Sequence, residues 1–350
     1  MKPIRVLIVD DSELIRQLLS TILSGDDHIE VIGVAEDPYE ARDKIKKLSP
    51  DVITLDIEMP KMDGITFLKN IMRLRPLPVV MVSTLTEKGA EITMEALELG
   101  AIDFVAKPKV DLLSELPRMA GEICAKIKQA ARAKVSNLQV EERIRVAGSQ
   151  PARAQFKRNA LDLIVIGAST GGTLALKDVL SDLPSLMPPI AVVQHMPEKF
   201  TTSFADRLNR TSALNVIECD ESGMTLKAGS VYIAKGGEHM KLVQRNGGLI
   251  SLLESSPPVN RHRPSVDVLF DSVAAMENLK VLAVLLTGMG ADGANGMGNL
   301  KDHGATTVAQ DEASSIVWGM PRVAVETGVV DKVLPLNKIA EYLVHYCYKH

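Results

Sequence analysis

The chain has 350 residues, with 40 Lys and Arg against 44 Asp and Glu, a formal net charge of −4. Hydrophobic residues make up 46% and charged residues 24%, which excludes a mainly disordered or collagen-like chain and sets an expectation of two globular domains. The acidic balance argues against a generally basic nucleic-acid binder, and 3% aromatic residues leave few platforms on which single-stranded bases stack.

The first 110 residues alternate short apolar runs with amphipathic segments. Strands are expected at 5–9, 29–35, 52–55, 79–82 and 103–106, and helices near 12–24, 38–48, 64–73, 87–99 and 112–130. Such alternation predicts a parallel sheet with helices on both faces. From about 131 to 160 the pattern dissolves into a stretch with seven Lys or Arg (Arg132, Lys134, Arg143, Arg145, Arg153, Lys157, Arg158) and Gly148, Ser149 and Pro151, which reads as a basic linker. A second α/β pattern starts at 161. Its strands are expected at 161–167, 189–195, 215–219, 281–287 and 306–309, and its helices at 172–181, 198–210, 265–277, 292–303 and 337–347. Within 229–254 lie three short apolar runs, the last two separated by Asn246-Gly247-Gly248. That signal predicts an antiparallel insertion in a mainly parallel sheet. The expected division is 1–125, a linker at 126–159, and 160–347.

Cys124, Cys219 and Cys347 are far apart, so neither a zinc site nor a disulfide framework is implied, and a reducing compartment is expected. The first residues lack an apolar core of signal-peptide length, and no apolar run reaches the ~18 residues of a membrane helix. The expectation is a cytoplasmic protein without membrane insertion. No basic recognition helix follows the linker, so no nucleic-acid partner is expected.

Ligands of an open parallel sheet bind at the carboxyl ends of its strands. In the first half those ends carry Asp10-Asp11, Asp56, Ser83-Thr84 and Lys107. Three carboxylates at one rim repel unless a cation neutralises them, and an oxygen-preferring ion such as Mg²⁺ suits that role. With a hydroxyl and an ammonium added, the pocket would hold a phosphoryl group. Singly, each residue has a plainer reading, as a helix cap or a solvated lysine.

Asp10, Asp11, Asp56 and Lys107 stand in Val6-Leu7-Ile8-Val9-Asp10-Asp11-Ser12, Asp56-Ile57-Glu58-Met59-Pro60-Lys61-Met62-Asp63-Gly64 and Ala106-Lys107-Pro108. Over about residues 1–125 the chain resembles the response-regulator receiver domain, a five-stranded, doubly wound, flavodoxin-like fold. The resemblance implies that Asp56 accepts a phosphoryl group and that Asp10, Asp11 and the backbone carbonyl of Glu58 hold Mg²⁺ with Asp56. It further implies that Ser83 and Phe104 form the switch, that Lys107 pairs with the phosphoryl group, and that the Lys107–Pro108 bond is cis.

In the second half, strand 161–166 runs into Gly167-Ala168-Ser169-Thr170-Gly171-Gly172. A G-x-S-x-G turn between strand and helix raises its serine at the sheet edge. The next strand ends in Gln194-His195, and a later one runs into Gly288-Met289-Gly290-Ala291-Asp292-Gly293. Nucleophile, base and orienting carboxylate are thereby expected at one rim, with His195 Nε2 taking the Ser169 proton and Asp292 holding the other ring nitrogen. The chain order Ser–His–Asp differs from the α/β-hydrolase order. A competing reading takes Gly288-x-Gly290-x-x-Gly293, with Asp311 about twenty residues on, as a dinucleotide fingerprint. It sits late in the domain, and the strand after the Gly-rich turn ends in Gln194-His195, with no acidic ribose partner.

The motifs GASTGG, QHMP, NRHRPSVDVLF and LLTGMGADG, behind a receiver and a basic linker, resemble the chemotaxis protein-glutamate methylesterase family. The resemblance implies an α/β parallel-sheet hydrolase domain whose catalytic residues are Ser169, His195 and Asp292. It places Thr170 and the Met289 backbone N–H in support of the oxyanion. It implies methyl-accepting chemoreceptors as substrate, a chemotaxis histidine kinase as phosphodonor, deamidation of receptor glutamines as a second activity, and no cofactor for the ester chemistry. For His262 and Arg263 two readings stay open, a site role or loop anchoring beside a Ser265 helix cap. Trp318 and Met320-Pro321 are read as packing.

Overall fold

The computed structural model describes residues 2–84, 86–108, 111–133 and 161–348. Two compact units divide the chain, Met1–Gln139 and Val140–His350. The expected linker lies outside the described residues from 134 onward.

The first unit runs β1 (Ile4–Val9), α1 (Glu13–Ser24), β2 (Ile29–Ala35), α2 (Pro38–Leu48), β3 (Val52–Asp56), α3 (Gly64–Leu74), β4 (Val79–Thr84), α4 (Glu87–Glu98), β5 (Asp103–Lys107), α5 (Leu112–Arg118) and α6 (Ala120–Ala130). Its strands are ordered β2-β1-β3-β4-β5 and all pairs are parallel. Both faces of the central strands are covered, so their runs of Val, Ile and Leu are continuous rather than alternating. Polar residues in the connections start the helices. Ser12 Oγ accepts from the Ile15 N–H, Asp37 from Tyr39 and Glu40, Asp63 from Thr66 and Thr86 from Gly89, each satisfying amides that the first turn leaves unpaired. The single helix expected over 112–130 is broken at Met119 into α5 and α6. Pro117 lies inside the last turn of α5, where it removes a backbone donor and crowds the preceding turn. The Lys107–Pro108 bond is not cis as expected; among the described residues Arg263–Pro264 is.

The second unit runs β6 (Leu163–Ala168), α7 (Gly172–Ser181), β7 (Ile190–Gln194), α8 (Phe200–Thr211), β8 (Asn215–Cys219), β9 (Ser230–Ala234), β10 (His239–Arg245), β11 (Gly248–Glu254), α9 (Val266–Ala274), β12 (Val281–Leu285), α10 (Ala294–Asp302), β13 (Thr306–Gln310), α11 (Met320–Glu326), β14 (Lys332–Leu334) and α12 (Leu336–Cys347). The main sheet has seven strands in the order β14-β13-β12-β6-β7-β9-β8, every pair parallel. Strands β10 and β11 form a separate antiparallel hairpin. The expected insertion is therefore one strand smaller, because β9 pairs in parallel with β7 and β8. Phe270 of α9 and Met240 and Leu242 of β10 belong to one core that continues under β6 and β12. Burial of each such side chain contributes about 1.5–3 kcal/mol.

In both sheets the chain leaves the first strand in one direction and later returns to its other side. The strand order reverses beside β1 in the first unit and beside β6 in the second. Crevices open at the carboxyl ends of strands at such points.

Candidate active site and phosphoryl-accepting pocket

In the first unit the crevice lies between the ends of β1 and β3. Side-chain oxygens of Asp10, Asp11 and Asp56 lie within 4.8 Å of one another. Lys107 at the end of β5 reaches across, its Nζ 2.8 Å from Asp10 Oδ2 and 2.9 Å from Asp56 Oδ2. Burial raises the Asp56 carboxyl to about 6; Lys107 opposes the rise and Asp10 adds to it. Asp10 is raised as well, burial again outweighing Lys107. Burial works against the Lys107 ammonium, but the two carboxylates overcome it and raise its pKa. One ammonium facing three carboxylates leaves excess negative charge among oxygen donors only. Such a donor set fits a hard divalent cation. Glu58 lies in the connection after β3, with its side chain exposed, so its part in holding a cation rests on its backbone carbonyl.

Ser83, at the end of β4, is buried and its hydroxyl donates to the Gly89 carbonyl at 3.3 Å. Thr93 donates to the same oxygen at 2.6 Å. A Cβ on Gly89 would come within 2.4 Å of the Thr84 carbonyl, so only glycine lets α4 start this close to β4. Phe104 is buried, and Lys126 of α6 holds it by a hydrogen bond to its carbonyl, 2.6 Å, and by a cation–π contact, 5.0 Å from ring centre.

In the second unit the crevice lies between the ends of β6 and β12. The chain turns sharply at Ser169. Gly171 has φ +77, and a Cβ on Gly172 would lie 2.2 Å from Gln194 Oε1 and 2.7 Å from Ala168 Cβ. One glycine supplies the left-handed backbone and the other the close approach that the strand–turn–helix requires. Gln194 donates its side-chain amide to the Ser169 carbonyl at 3.0 Å and the His195 carbonyl at 3.3 Å, tying the two turns together. The Ser169 hydroxyl donates to His195 Nδ1 at 3.1 Å, and His195 Nε2 donates to Asp292 Oδ2 at 2.7 Å. The three residues expected at one rim are thus brought together.

The ring nitrogens are the reverse of the expected assignment: Nδ1 faces the serine and Nε2 the aspartate. The chemistry is unaffected, because the nitrogen bound to the carboxylate carries the proton and leaves the other as base.

Asp292 is buried and saturated with donors. Its Oδ1 accepts from Asn260 Nδ2 at 2.7 Å, Ser265 Oγ at 2.7 Å and the Asp267 N–H at 3.2 Å; its Oδ2 accepts from His195 and from the Val266 N–H at 2.7 Å. Burial alone would raise its pKa. The hydrogen bond and charge of His195, with Asn260 and Ser265, overcome burial and hold it well below the carboxylate range. Asp292 also caps α9, since two of its donors are the first amides of that helix. Ser265 stands at the N-cap position without capping, its hydroxyl being given to Asp292. Arg263 anchors its loop by donating to the Ser255 and Ser256 carbonyls at 3.3 and 3.0 Å. His262 instead stacks on His195, ring centres 3.7 Å apart and planes 10° from parallel.

The segment after β12 closes on the serine. The Ser169 N–H donates to the Thr287 carbonyl at 3.0 Å, and a Cβ on Gly288 would lie 2.7 Å from Ser169 Cβ and 2.4 Å from Met320 Sδ. Met289 is the next residue. Thr170 is buried, and its carbonyl accepts from Thr287 Oγ1 at 3.0 Å. Trp318 bridges Gly288, so Trp318 and Met320 back this loop, in keeping with the packing role read for them. The sequence pattern alone does not mark Asn260, Gln194 or the Ser265 hydroxyl as site residues. The one signal for Asn260 and Ser265 is the stretch Asn260 to Ser265, polar but for Pro264, just before an apolar helix.

The CheB methylesterase family matches residues 164–343, and the response regulator receiver domain matches residues 6–135. A protein-glutamate methylesterase/protein-glutamine glutaminase of Hydrogenovibrio crunogenus is 48% identical over 374 residues, covering 98% of this chain and 99% of that one. Another, of Saccharophagus degradans, is 51% identical over 349 residues and covers 100% of both. The crystal structure of the Thermotoga maritima CheB methylesterase catalytic domain matches 54% of this chain and 100% of its own, with 42% identity and a TM-score of 0.52. The chain belongs to the CheB methylesterase family and carries a response regulator receiver domain.

Proposed function

We propose that the chain is a phosphorylation-activated protein-glutamate methylesterase and protein-glutamine glutaminase, with Ser169 as nucleophile, His195 as base and Asp292 as orienting carboxylate. The observation that carries this reading is the continuous relay from Ser169 Oγ through His195 to a charged, donor-saturated Asp292. Ser169 Oγ attacks the γ-carbonyl carbon of a glutamate methyl ester while its proton passes to His195 Nδ1. Asp292 keeps its charge and stabilises the imidazolium. The carbonyl oxygen becomes an oxyanion, and the Met289 backbone N–H, beside Ser169 through Gly288, is assigned to it with Thr170 in support. One such donor is worth about 3 kcal/mol. The imidazolium returns the proton to the leaving methoxide, and methanol departs. Water then attacks the acyl-serine by the reverse proton path and leaves glutamate. On a glutamine side chain the leaving group is ammonia and the rest is the same.

In the receiver, Asp56 is the phosphoryl acceptor, and Asp10, Asp11, Asp56 and the Glu58 carbonyl would hold Mg²⁺, which when bound neutralises phosphoryl oxygens. Lys107 pairs with the phosphoryl group. Ser83 turns its hydroxyl from Gly89 toward it, and Thr93 continues to satisfy the Gly89 carbonyl. The Ser83 and Phe104 shifts are the local change that the esterase reads, a population shift that relieves inhibition by the unphosphorylated receiver. Chemoreceptors are the substrates and a histidine kinase the phosphodonor, in the cytoplasm. Among the described residues no helix is long and apolar enough to cross a membrane.

The test is methanol release from receptor membranes methyl-labelled on glutamate, with and without Mg²⁺ and a small-molecule phosphodonor. Release that rises with the phosphodonor, and does not rise in Asp56→Ala, is the expected result. No release from verified substrate by folded protein overturns the reading.

A further inference from the structure

The segment from Val259 to His262 forms a two-residue turn. Val259 and His262 exchange both backbone hydrogen bonds, at 3.1 and 2.9 Å, and the two residues between them, Asn260 and Arg261, have φ +52 and +70. Both central residues of a type I′ turn need positive φ, which glycine supplies freely and arginine does not. The loop that carries this turn is fastened at both ends. Fully buried His239 accepts from the Ser265 N–H at 3.2 Å and donates to the Pro257 carbonyl at 3.1 Å. Arg263 holds Ser255 and Ser256, and its own carbonyl accepts from the Gly237 N–H at 3.1 Å.

The turn presents two side chains to the triad. Asn260 uses both hydrogens of its amide, one to Asp292 Oδ1 and one to Asp267 Oδ2, each at 2.7 Å. Asp267 is also held by the Gly296 N–H at 2.7 Å, at the start of α10. Asn260 is therefore a neutral bridge between two buried carboxylates that would otherwise face each other across α9's first turn. His262 covers one face of the His195 ring. A ring held at one edge by Ser169 and at the other by Asp292 can still tilt about the line joining them. A parallel ring 3.7 Å above it removes that freedom.

We propose that the Val259–His262 turn is the positioning element of the triad: Asn260 fixes the orientation of the Asp292 carboxylate, and His262 fixes the plane of the His195 ring. Neither residue takes or gives a proton in the reaction. Both act through another side chain, so their loss slows proton transfer at Ser169 and leaves substrate binding alone. This rests on the reading of Ser169 as nucleophile.

The test uses the full-length protein and two readouts. One is the second-order rate of Ser169 modification by a small fluorophosphonate, located by mass spectrometry, which reports the nucleophile without receptor docking. The other is kcat and KM for methanol release from methyl-labelled receptor membranes. Asn260→Gly keeps the left-handed backbone and removes the amide; His262→Ala removes the stack and His262→Phe keeps a flat ring there. The expected result is a loss of about 10- to 100-fold in both modification rate and kcat for Asn260→Gly, with KM unchanged. His262→Ala loses about 10-fold, and His262→Phe recovers most of that loss. Folding of each variant is checked by circular dichroism and thermal unfolding, and a merely loosened fold would not be rescued by a ring at 262. Wild-type protein that is not modified at Ser169 overturns the nucleophile reading itself. If wild type is modified and the Asn260→Gly and His262→Ala rates match it within about twofold, the positioning role is wrong. A rise in KM at unchanged modification rate also overturns it, by assigning the turn to substrate binding. His262→Phe as slow as His262→Ala overturns the stacking part.

Discussion

Asp56 and Asp292 occupy corresponding places in the two units. Asp56 ends β3 and Asp292 lies in the loop after β12, both strands stand beside the point where the strand order reverses, and both residues are buried. Their ionisation moves in opposite directions, up to about 6 for Asp56 and below the usual carboxylate range for Asp292. Burial pushes both upward, so burial is not what separates them. Donors are. Asp56 shares one lysine with Asp10 and accepts one backbone amide, from Ile57. Asp292 has five donors from His195, Asn260, Ser265 and the start of α9. On the proposed reading, the carboxylate that accepts a phosphoryl group is left short of partners, so that an incoming cation and phosphoryl group would relieve it. A carboxylate that must stay charged and still is fully satisfied.

The largest expected effects break the esterase half of this comparison. Ser169→Ala removes the proposed nucleophile and should reduce methanol release by roughly 10⁴-fold or more, with no acyl-enzyme trapped on quenching. Asp292→Asn keeps the shape, but can no longer hold His195 Nε2–H with a charged acceptor. A loss of about 10⁴-fold in kcat is expected. More than about a tenth of wild-type activity would mean that the saturated charge at 292 is structural only. On the receiver side, Asp56→Asn should eliminate stimulation by a phosphodonor, and chelation of divalent cations should eliminate it in the wild type.

The sequence was informative where burial is continuous. Strands buried on both faces appear as unbroken apolar runs, and β3 and β7 fall within one residue of their expected bounds. The residues after those strands gave the triad and the acidic pocket, because the sheet itself brings strand ends together. Contacts made by loops were less visible. Asn260 and Arg261 form a tight turn without the glycine that signals one. Ser265 was legible as a cap position, but its hydroxyl goes to a residue 27 positions away. Which ring nitrogen of His195 faces the serine depends on the angle at which β7 delivers the ring, and residue types do not encode it. The three-residue edge strand β14, largely exposed, has no periodicity to detect.

The smallest effect sharpens the comparison through pH. The folded-state pKa of Asp56 lies above its ordinary value of 3.8, at about 6. Its contribution to stability is therefore present when both states are protonated and is lost as pH rises through about 6. The loss amounts to about 3 kcal/mol at most in protein free of divalent cations. Asp292 has the opposite sign: its contribution is present above the unfolded pKa and is kept down to strongly acid pH. Between about pH 5 and about pH 7.5 the amides of β1 and β3 should lose protection against hydrogen exchange, after correction for the intrinsic rate, while those of β6 and β12 hold theirs. Mg²⁺ at the higher pH should restore β1 and β3, and Asp56→Asn should flatten most of their pH dependence, leaving the part that Asp10 contributes. Equal behaviour of the two sheets would show that the receiver carboxylates already find the partners they lack here, and the contrast between the two sites would then lie in geometry alone.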